Sequence, residues 1–131
     1  GAAARLGVDR AVLEHLVGRY GGEAGELVAL IRDEPALGAP LVPGLPYLAA
    51  EAVYAVREEQ ATTLGDVLAR RTRAQLRGRD ATAAAAEAVA LLIAPDLGWS
   101  EGDIVREVAA YRAAVAHERE AAELPVTDVP A

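Results

Sequence analysis

"YLAAEAVYAVREEQATTLGDVLARRTR", Tyr47 to Arg73, is the stretch on which the fold turns. Leu48, Ala52, Val53 and Val56 recur in it at helical spacing, so Tyr47 to Gln60 is predicted to form a helix with one apolar stripe. Glu51, Tyr54 and Glu58, at i, i+3 and i+7, make a polar stripe beside it. Thr63 then opens a further helix through a T-x-x-D pattern, in which Thr63 caps the amide at Asp66 and the Asp66 carboxylate reaches back. Leu64, Val67 and Leu68 are its apolar face.

The arginines that follow divide by helical phase. Arg70 lies four residues after Asp66 and makes an ordinary surface pair, worth only ~0.3–0.5 kcal/mol. Arg71 stands four after Val67 and three after Leu68, so an α-helical phase turns it toward the core. A guanidinium aimed there needs a carboxylate or backbone carbonyls, and Glu51, Glu58 and Glu59 on the preceding helix are the candidates. Its removal is then expected to cost on the order of 3–5 kcal/mol if the pair is fully desolvated. Arg73, Arg77 and Arg79 fall off that face and read as solvated, with truncation of Arg73 costing no more than about 0.5 kcal/mol.

The remainder of the chain repeats the helical pattern. Asp9 is placed to cap a helix with Val12, Leu13, Leu16, Val17 and Tyr20 on one side, stopped by Gly21-Gly22. A helix near Glu23 to Asp33 buries Ala24, Leu27, Val28 and Ile31. "PALGAPLVPGLP", Pro35 to Pro46, is too rich in proline for a helix or a central strand and reads as a structured, extended connector. Thr82 to Ile93 forms a helix using Val89, Leu92 and Ile93, which Pro95 ends or kinks. Ser100 and Asp103 repeat the cap pattern ahead of a last helix along Ile104, Val108, Tyr111 and Val115. The expected fold is all-α, a compact bundle of about five to six amphipathic helices with a Pro-rich connector. Residues 1–123 form one helical domain in this reading, and 124–131 a flexible C-terminal tail.

Composition narrows the function. Of 131 residues 53% are hydrophobic, enough for a packed core in a chain of this length. Phe, Met and Cys are absent, so the core is built of Leu, Val, Ile and Ala, which suits close-packed helices. Without cysteine there are no disulfides, zinc-thiolate sites or thiol nucleophiles. The net charge of -7 argues against nucleic acid as a general partner, and no aromatic residues interleave with the arginines to stack bases. No apolar run reaches membrane-spanning length, and "GAAARLGVDR" lacks the core of a signal peptide. So abrupt a start is what a piece of a longer protein would show.

Residues able to do chemistry are few. His15 and His117 have no metal-ligand spacing partner and read as structural or exposed. Ser100 is the one serine and is explained by capping. "YGGEAG" follows a helix rather than a strand and does not match G-x-G-x-x-G, so it reads as a helix stop and not a phosphate cradle. Glu51 and Glu58 could do acid-base work only if one pKa were raised; receiving arginines from a neighbouring helix is the plainer role. A small hydrolase built on them lacks a nucleophile or metal partner.

Tyr47, Glu51, Tyr54, Ala55, Glu59, Ala61, Thr63, Asp66, Leu68, Arg70, Arg71 and Thr72 fit the pattern Y-x-x-x-E-V-x-Y-A-x-x-x-E-x-A-x-T-x-x-D-x-L-x-R-R-T, with Ala52 departing from its valine. That pattern resembles the signature of the C-terminal helical domain of FAD-dependent, respiratory glycerol-3-phosphate dehydrogenases. "HLVGRYG", His15 to Gly21, is similar to the family's L-x-x-R-Y-G, and "DLGWSEGDIVREVAAYR", Asp96 to Arg112, to its L-G-W segment and final helix. The resemblance implies a parent flavoenzyme that oxidises sn-glycerol 3-phosphate to dihydroxyacetone phosphate. FAD would take the hydride and electrons would pass to a quinone. Flavin and substrate would be held by the larger N-terminal portion, leaving this domain without catalytic, cofactor or metal residues of its own. Glu51, Tyr54, Glu58, Glu59, Thr63, Asp66, Arg70 and Arg71 become structural or domain-interface candidates. The implied partners are the FAD and substrate domain of the same polypeptide and a second copy in a homodimer. The parent is expected in the cytoplasm, peripheral on the inner face of the membrane. The alternative is a free-standing helical module that binds another protein's acidic helix through the Arg70 to Arg79 edge. The isolated chain is expected to fold without cofactor and to bind no FAD.

Overall fold

The structure, a computed structural model, describes residues 10–72 and 74–123. Six α-helices run through them: α1 Arg10–Tyr20, α2 Ala24–Asp33, α3 Ala49–Glu58, α4 Ala74–Arg77, α5 Arg79–Leu97 and α6 Glu101–Glu123. Short 3-10 turns occupy Gly21–Glu23 and Pro35–Gly38, and Asp66–Arg71 is a π-helix. No strand is present among the described residues; one isolated antiparallel bridge joins Pro40 to Leu48. The all-α expectation stands.

The centre of the fold is α3. Every residue from Ala49 to Ala55 is buried, as befits a helix enclosed on all sides. Four of those seven are alanines, which let neighbouring helices come close. One apolar cluster joins Leu48, Ala49, Ala50 and Val53 to Leu16 of α1 and to Ala24, Leu27, Val28 and Ile31 of α2. These four α2 residues are the predicted ones. The other cluster joins Ala52 and Ala55 to Leu64, Val67 and Leu68, to Val89 and Ile93 of α5, and to Val108, Tyr111 and Val115 of α6. The polar stripe on α3 therefore lies inside the protein at Glu51 and Tyr54, while Glu58 is exposed.

The proline-rich connector folds back on itself. The Leu41 amide donates to the Tyr47 carbonyl at 2.8 Å and the Ala49 amide to the Ala39 carbonyl at 2.9 Å, which hands the chain into α3. Gly44 makes the reversal at φ +87, a conformation that favours glycine.

Three expectations need correction. The fifth helix does not end at Pro95; it continues to Leu97 and stops at Gly98, in the left-handed conformation at φ 69. So close to the helix end the proline forfeits one amide bond, and the last turn is held by the Gly98 and Trp99 amides, both donating to the Ala94 carbonyl. Val17, assigned to the inner face of the first helix, is 51% exposed, and Leu16 is the residue of that helix that is fully buried. The third helix spans Ala49–Glu58, because Tyr47 and Leu48 belong to the connector's fold-back and Gln60 leaves the helix at φ 60. The Asp9 cap and the tail 124–131 lie outside the described residues.

Candidate functional site around Glu51

Glu51 is 1% exposed, a carboxylate deep in a helical core. Such a charge is tolerable only when its oxygens are satisfied. Four groups meet it, two at each oxygen. Oε1 receives the Tyr20 hydroxyl at 2.9 Å and stands 2.9 Å from Arg19 Nε. Oε2 accepts the Leu48 amide at 2.6 Å and faces His15 Nε2 at 3.0 Å, so that ring nitrogen carries the proton. Three hydrogen-bond donors thus engage the carboxylate, and Arg19 adds its charge while its Nε donates to the Tyr20 hydroxyl at 3.3 Å.

The sequence places these donors where they meet. His15 lies one helical turn before Arg19 and Tyr20 on α1, and all three side chains reach Glu51 of α3. Leu48 N is a free amide at the start of α3, and Glu51 three residues on closes back to it. Arg19 stacks over the Tyr20 and Tyr47 rings at 5.5 Å and 5.2 Å. Burial opposes its charge, but Tyr20, Glu51 and Tyr47 outweigh that and hold its pKa above the ordinary value. Burial pushes the Tyr20 phenol up, and Glu51 adds to the shift against the pull of Arg19. Tyr20 meets Tyr54 edge-on at 5.5 Å, and the Tyr54 hydroxyl donates to Glu23 Oε2 at 2.8 Å. That bond, more than burial, raises the Tyr54 phenol.

The network extends to the signature's second half. Arg19 Nη2 donates to the carbonyl of Arg71, tying α1 to the π-helix. There the structure overturns the inward placing of Arg71: the residue is exposed, and its Nη2 donates to the Glu59 carbonyl at 3.1 Å rather than to any carboxylate. The reason is the π turn. With an i+5 repeat the residue over Val67 is Thr72, which is fully buried and bonds the Val67 carbonyl. The arginine that Glu51 receives is Arg19, from the first helix and not from the fourth predicted one.

The other candidates are local. Thr63 Oγ1 accepts the Asp66 amide at 3.0 Å as predicted, but the Asp66 carboxylate reaches back to Thr62, to its amide at 3.0 Å and its hydroxyl at 3.3 Å. The Thr62 amide is the first cause of the lowered Asp66 pKa, with the Thr62 and Thr63 hydroxyls adding to it against the opposing effect of burial. Asp66 also pairs loosely with the 80% exposed Arg70, at 3.9 Å. Glu58 borders a shallow groove with Tyr54 and Arg57. Ser100 and Asp103 form the expected reciprocal cap, at 2.8 and 3.1 Å. Arg77 is exposed and Arg79 half-buried; Arg73 lies outside the described residues. The periodicity argument missed Arg19, Thr72 and Glu107, whose Oε1 accepts the Leu64 amide at 2.9 Å from across the fold. The R-Y-G motif was the available signal for Arg19 and Tyr20.

Among the described residues no group of three His, Cys, Asp or Glu could hold a metal ion, and no helix is long and apolar enough to cross a membrane. Comparisons with known proteins bear on what such a core serves. The chain is 42% identical over 116 residues to a glycerol-3-phosphate dehydrogenase of Mycobacterium leprae, covering 88% of this chain and 20% of that protein. It is 31% identical over 104 residues to a glycerol-3-phosphate dehydrogenase of Synechocystis, 79% of this chain and 19% of that one. With the mitochondrial glycerol-3-phosphate dehydrogenase of Mus musculus it shares 31% over 99 residues, 72% and 14% of the two chains. The chain thus spans about a fifth of the length of the first of these relatives. No solved structure matches. Residues 1–104 match the family described as the C-terminal domain of alpha-glycerophosphate oxidase, and the chain belongs to that family.

Proposed function

We propose that this chain is the non-catalytic C-terminal domain of an FAD-dependent glycerol-3-phosphate dehydrogenase. The parent enzyme oxidises sn-glycerol 3-phosphate to dihydroxyacetone phosphate and passes the electrons to a quinone. The observation that carries the reading is the match to relatives of that name over a fifth of their length, together with a family match covering 104 residues. The Glu51 site supports the non-catalytic role. Three donors of the same chain occupy its oxygens beside the Arg19 charge, and it is buried away from any substrate. Glu58, its suggested partner, is exposed while Glu51 is buried, so the two carboxylates do not face one site.

The residues present do not fit FAD. The glycine-rich turn after Tyr20 passes from helix through a 3-10 turn to helix, and the strand-turn-helix that binds a pyrophosphate is absent among the described residues. The flavin and the substrate belong, in this reading, to the other four-fifths of the parent. Electron transfer to a quinone would bring the parent to a membrane surface, and the cytoplasmic inner face is the one proposed here.

The test is expression of the full-length protein beside residues 1–131. The full-length protein should be yellow and should reduce an artificial acceptor with glycerol 3-phosphate. The 131 residues should be colourless and inactive. Flavin absorbance that follows the short chain through gel filtration would refute the assignment.

A further inference from the structure

The chain carries 20 acidic and 13 basic residues, yet three exposed arginines, Arg70, Arg71 and Arg77, follow one another closely along one stretch. Arg70 meets Asp66 only at 3.9 Å, Arg71 spends its guanidinium on a backbone carbonyl, and Arg77 is exposed with no ion-pair partner among the described residues. In the same place stands Leu76, 79% exposed and the most exposed of the large apolar side chains described. Leu76 and Arg70 line a groove of about 470 Å³ with Ala69, Gln75 and Glu118. The Glu118 carboxylate accepts Gln75 Nε2 at 2.7 Å, so it is engaged with Gln75 at the wall of the groove. The π-helix sets up this edge. An α-helical phase would have turned Arg71 inward; the π turn puts Thr72 there and leaves both arginines outside, with Arg19 holding the Arg71 carbonyl.

We propose that the edge formed by Arg70, Arg71, Leu76 and Arg77 is the face with which this domain docks onto the remainder of its own polypeptide, against an acidic surface with an apolar centre. The proposal rests on the reading of the chain as one domain of a longer flavoenzyme. About four-fifths of the first relative lies outside the match, so a large neighbouring body is at hand in the same chain. An exposed leucine that shares a groove with Arg70 and is followed by the exposed Arg77 has the composition of an interface centre with a polar rim, and arginine is enriched at such sites. Charge complementarity selects an acidic counterpart. An isolated surface leucine would need no explanation; one that shares a groove with Arg70 and is followed by Arg77, whose guanidinium has no ion-pair partner among the described residues, does.

The test uses the full-length protein. Leu76→Cys introduces a thiol into a domain that has no cysteine. Its alkylation by iodoacetamide is followed on its own peptide by mass spectrometry, native and in urea. A covered face should react about tenfold or more slowly in the native protein than in urea, the signature of a site that must open first. Arg71→Glu in that background should speed the native reaction, because it sets like charges against each other. A benzophenone maleimide attached at 76 should photo-crosslink to residues upstream of this domain in the same chain. Arg77→Cys repeats the measurement at the same edge should the first variant not accumulate. Native reaction as fast as in urea would overturn the proposal. So would crosslinks between isotopically light and heavy copies, which would assign the face to a second subunit. A gene product no longer than this chain would overturn the preceding section as well; a longer one with an unprotected thiol would overturn the docking face alone.

Discussion

Thr72 donates twice to one acceptor, the carbonyl oxygen of Val67, with its amide at 2.9 Å and its hydroxyl at 2.8 Å. The same hydroxyl accepts the Ala74 amide at 3.3 Å. The side chain is fully buried, so it both closes the π turn and starts the next helix. Thr72→Val keeps the shape and leaves the Ala74 amide without its partner. It should destabilise the chain by about 1–3 kcal/mol. Thr72→Ser keeps the hydroxyl and loses one methyl, which should cost about 0.8 kcal/mol. Urea midpoints of the two variants check the order; a valine variant as stable as the serine one would deny the hydroxyl its role.

Arg71→Ala tests the π phase from the other side. The residue is exposed and makes one hydrogen bond to a backbone carbonyl, so the stability loss should stay near 0.5 kcal/mol, as for most surface changes. A loss of several kcal/mol, the amount expected for a core-facing guanidinium, would mean that the helix keeps α-helical phase in solution.

Glu51 and Arg19 should respond unequally although they are one pair. Glu51→Ala leaves the Tyr20 hydroxyl, the Leu48 amide and His15 without their acceptor and Arg19 without its counter-charge, and should cost about 3–5 kcal/mol. Arg19→Ala leaves Glu51 with three donors, and the 27% exposed Arg19 side chain is partly screened by water, so about 1–2 kcal/mol is expected. A double-mutant cycle read by denaturant midpoints gives the coupling. Equal losses from both single variants would mean that the ion pair, not the hydrogen bonds to the carboxylate, holds α1 to α3.

Tyr111 is 5% exposed and its hydroxyl has no hydrogen-bond partner among the described residues. Burial, with Glu118 adding to it, pushes its phenol up from 10.0 to about 12. The folded chain therefore keeps this proton at a pH where the unfolded chain has released it. The contribution to stability is fully present below pH 10 and is lost as pH rises from 10 toward 12. Tyr111→Phe removes both the unsatisfied hydroxyl and the titration. It should be neutral or stabilising by up to about 1 kcal/mol at pH 7, and its advantage should widen between pH 10 and 12. Thermal melts of both proteins across that range decide it; parallel curves would show a phenol that is not buried as described.

Local pattern determined most of the secondary structure. Ala24, Leu27, Val28 and Ile31 lie buried on α2 as their spacing requires, and Ser100 and Asp103 cap α6 as their sequence requires. Both depend on groups within a few residues of each other, which is what a linear reading can see. Glu51 was legible as a polar residue on the central helix, but its partners were not. Tyr20 and His15 are 31 and 36 residues away, and which helix lies across a carboxylate is set by packing. The phase of Arg71 failed for the same reason. The i+5 turn is the rarer form, and it is held here by the Thr72 hydroxyl on Val67, by Arg19 on the Arg71 carbonyl, and by Arg71 reaching Glu59. The sequence by itself determined that the chain is helical, where most helices lie, and which family it resembles. Only the tertiary structure decided which arginine enters the core network and which faces outward, because burying a charge depends on acceptors brought together from distant parts of the chain.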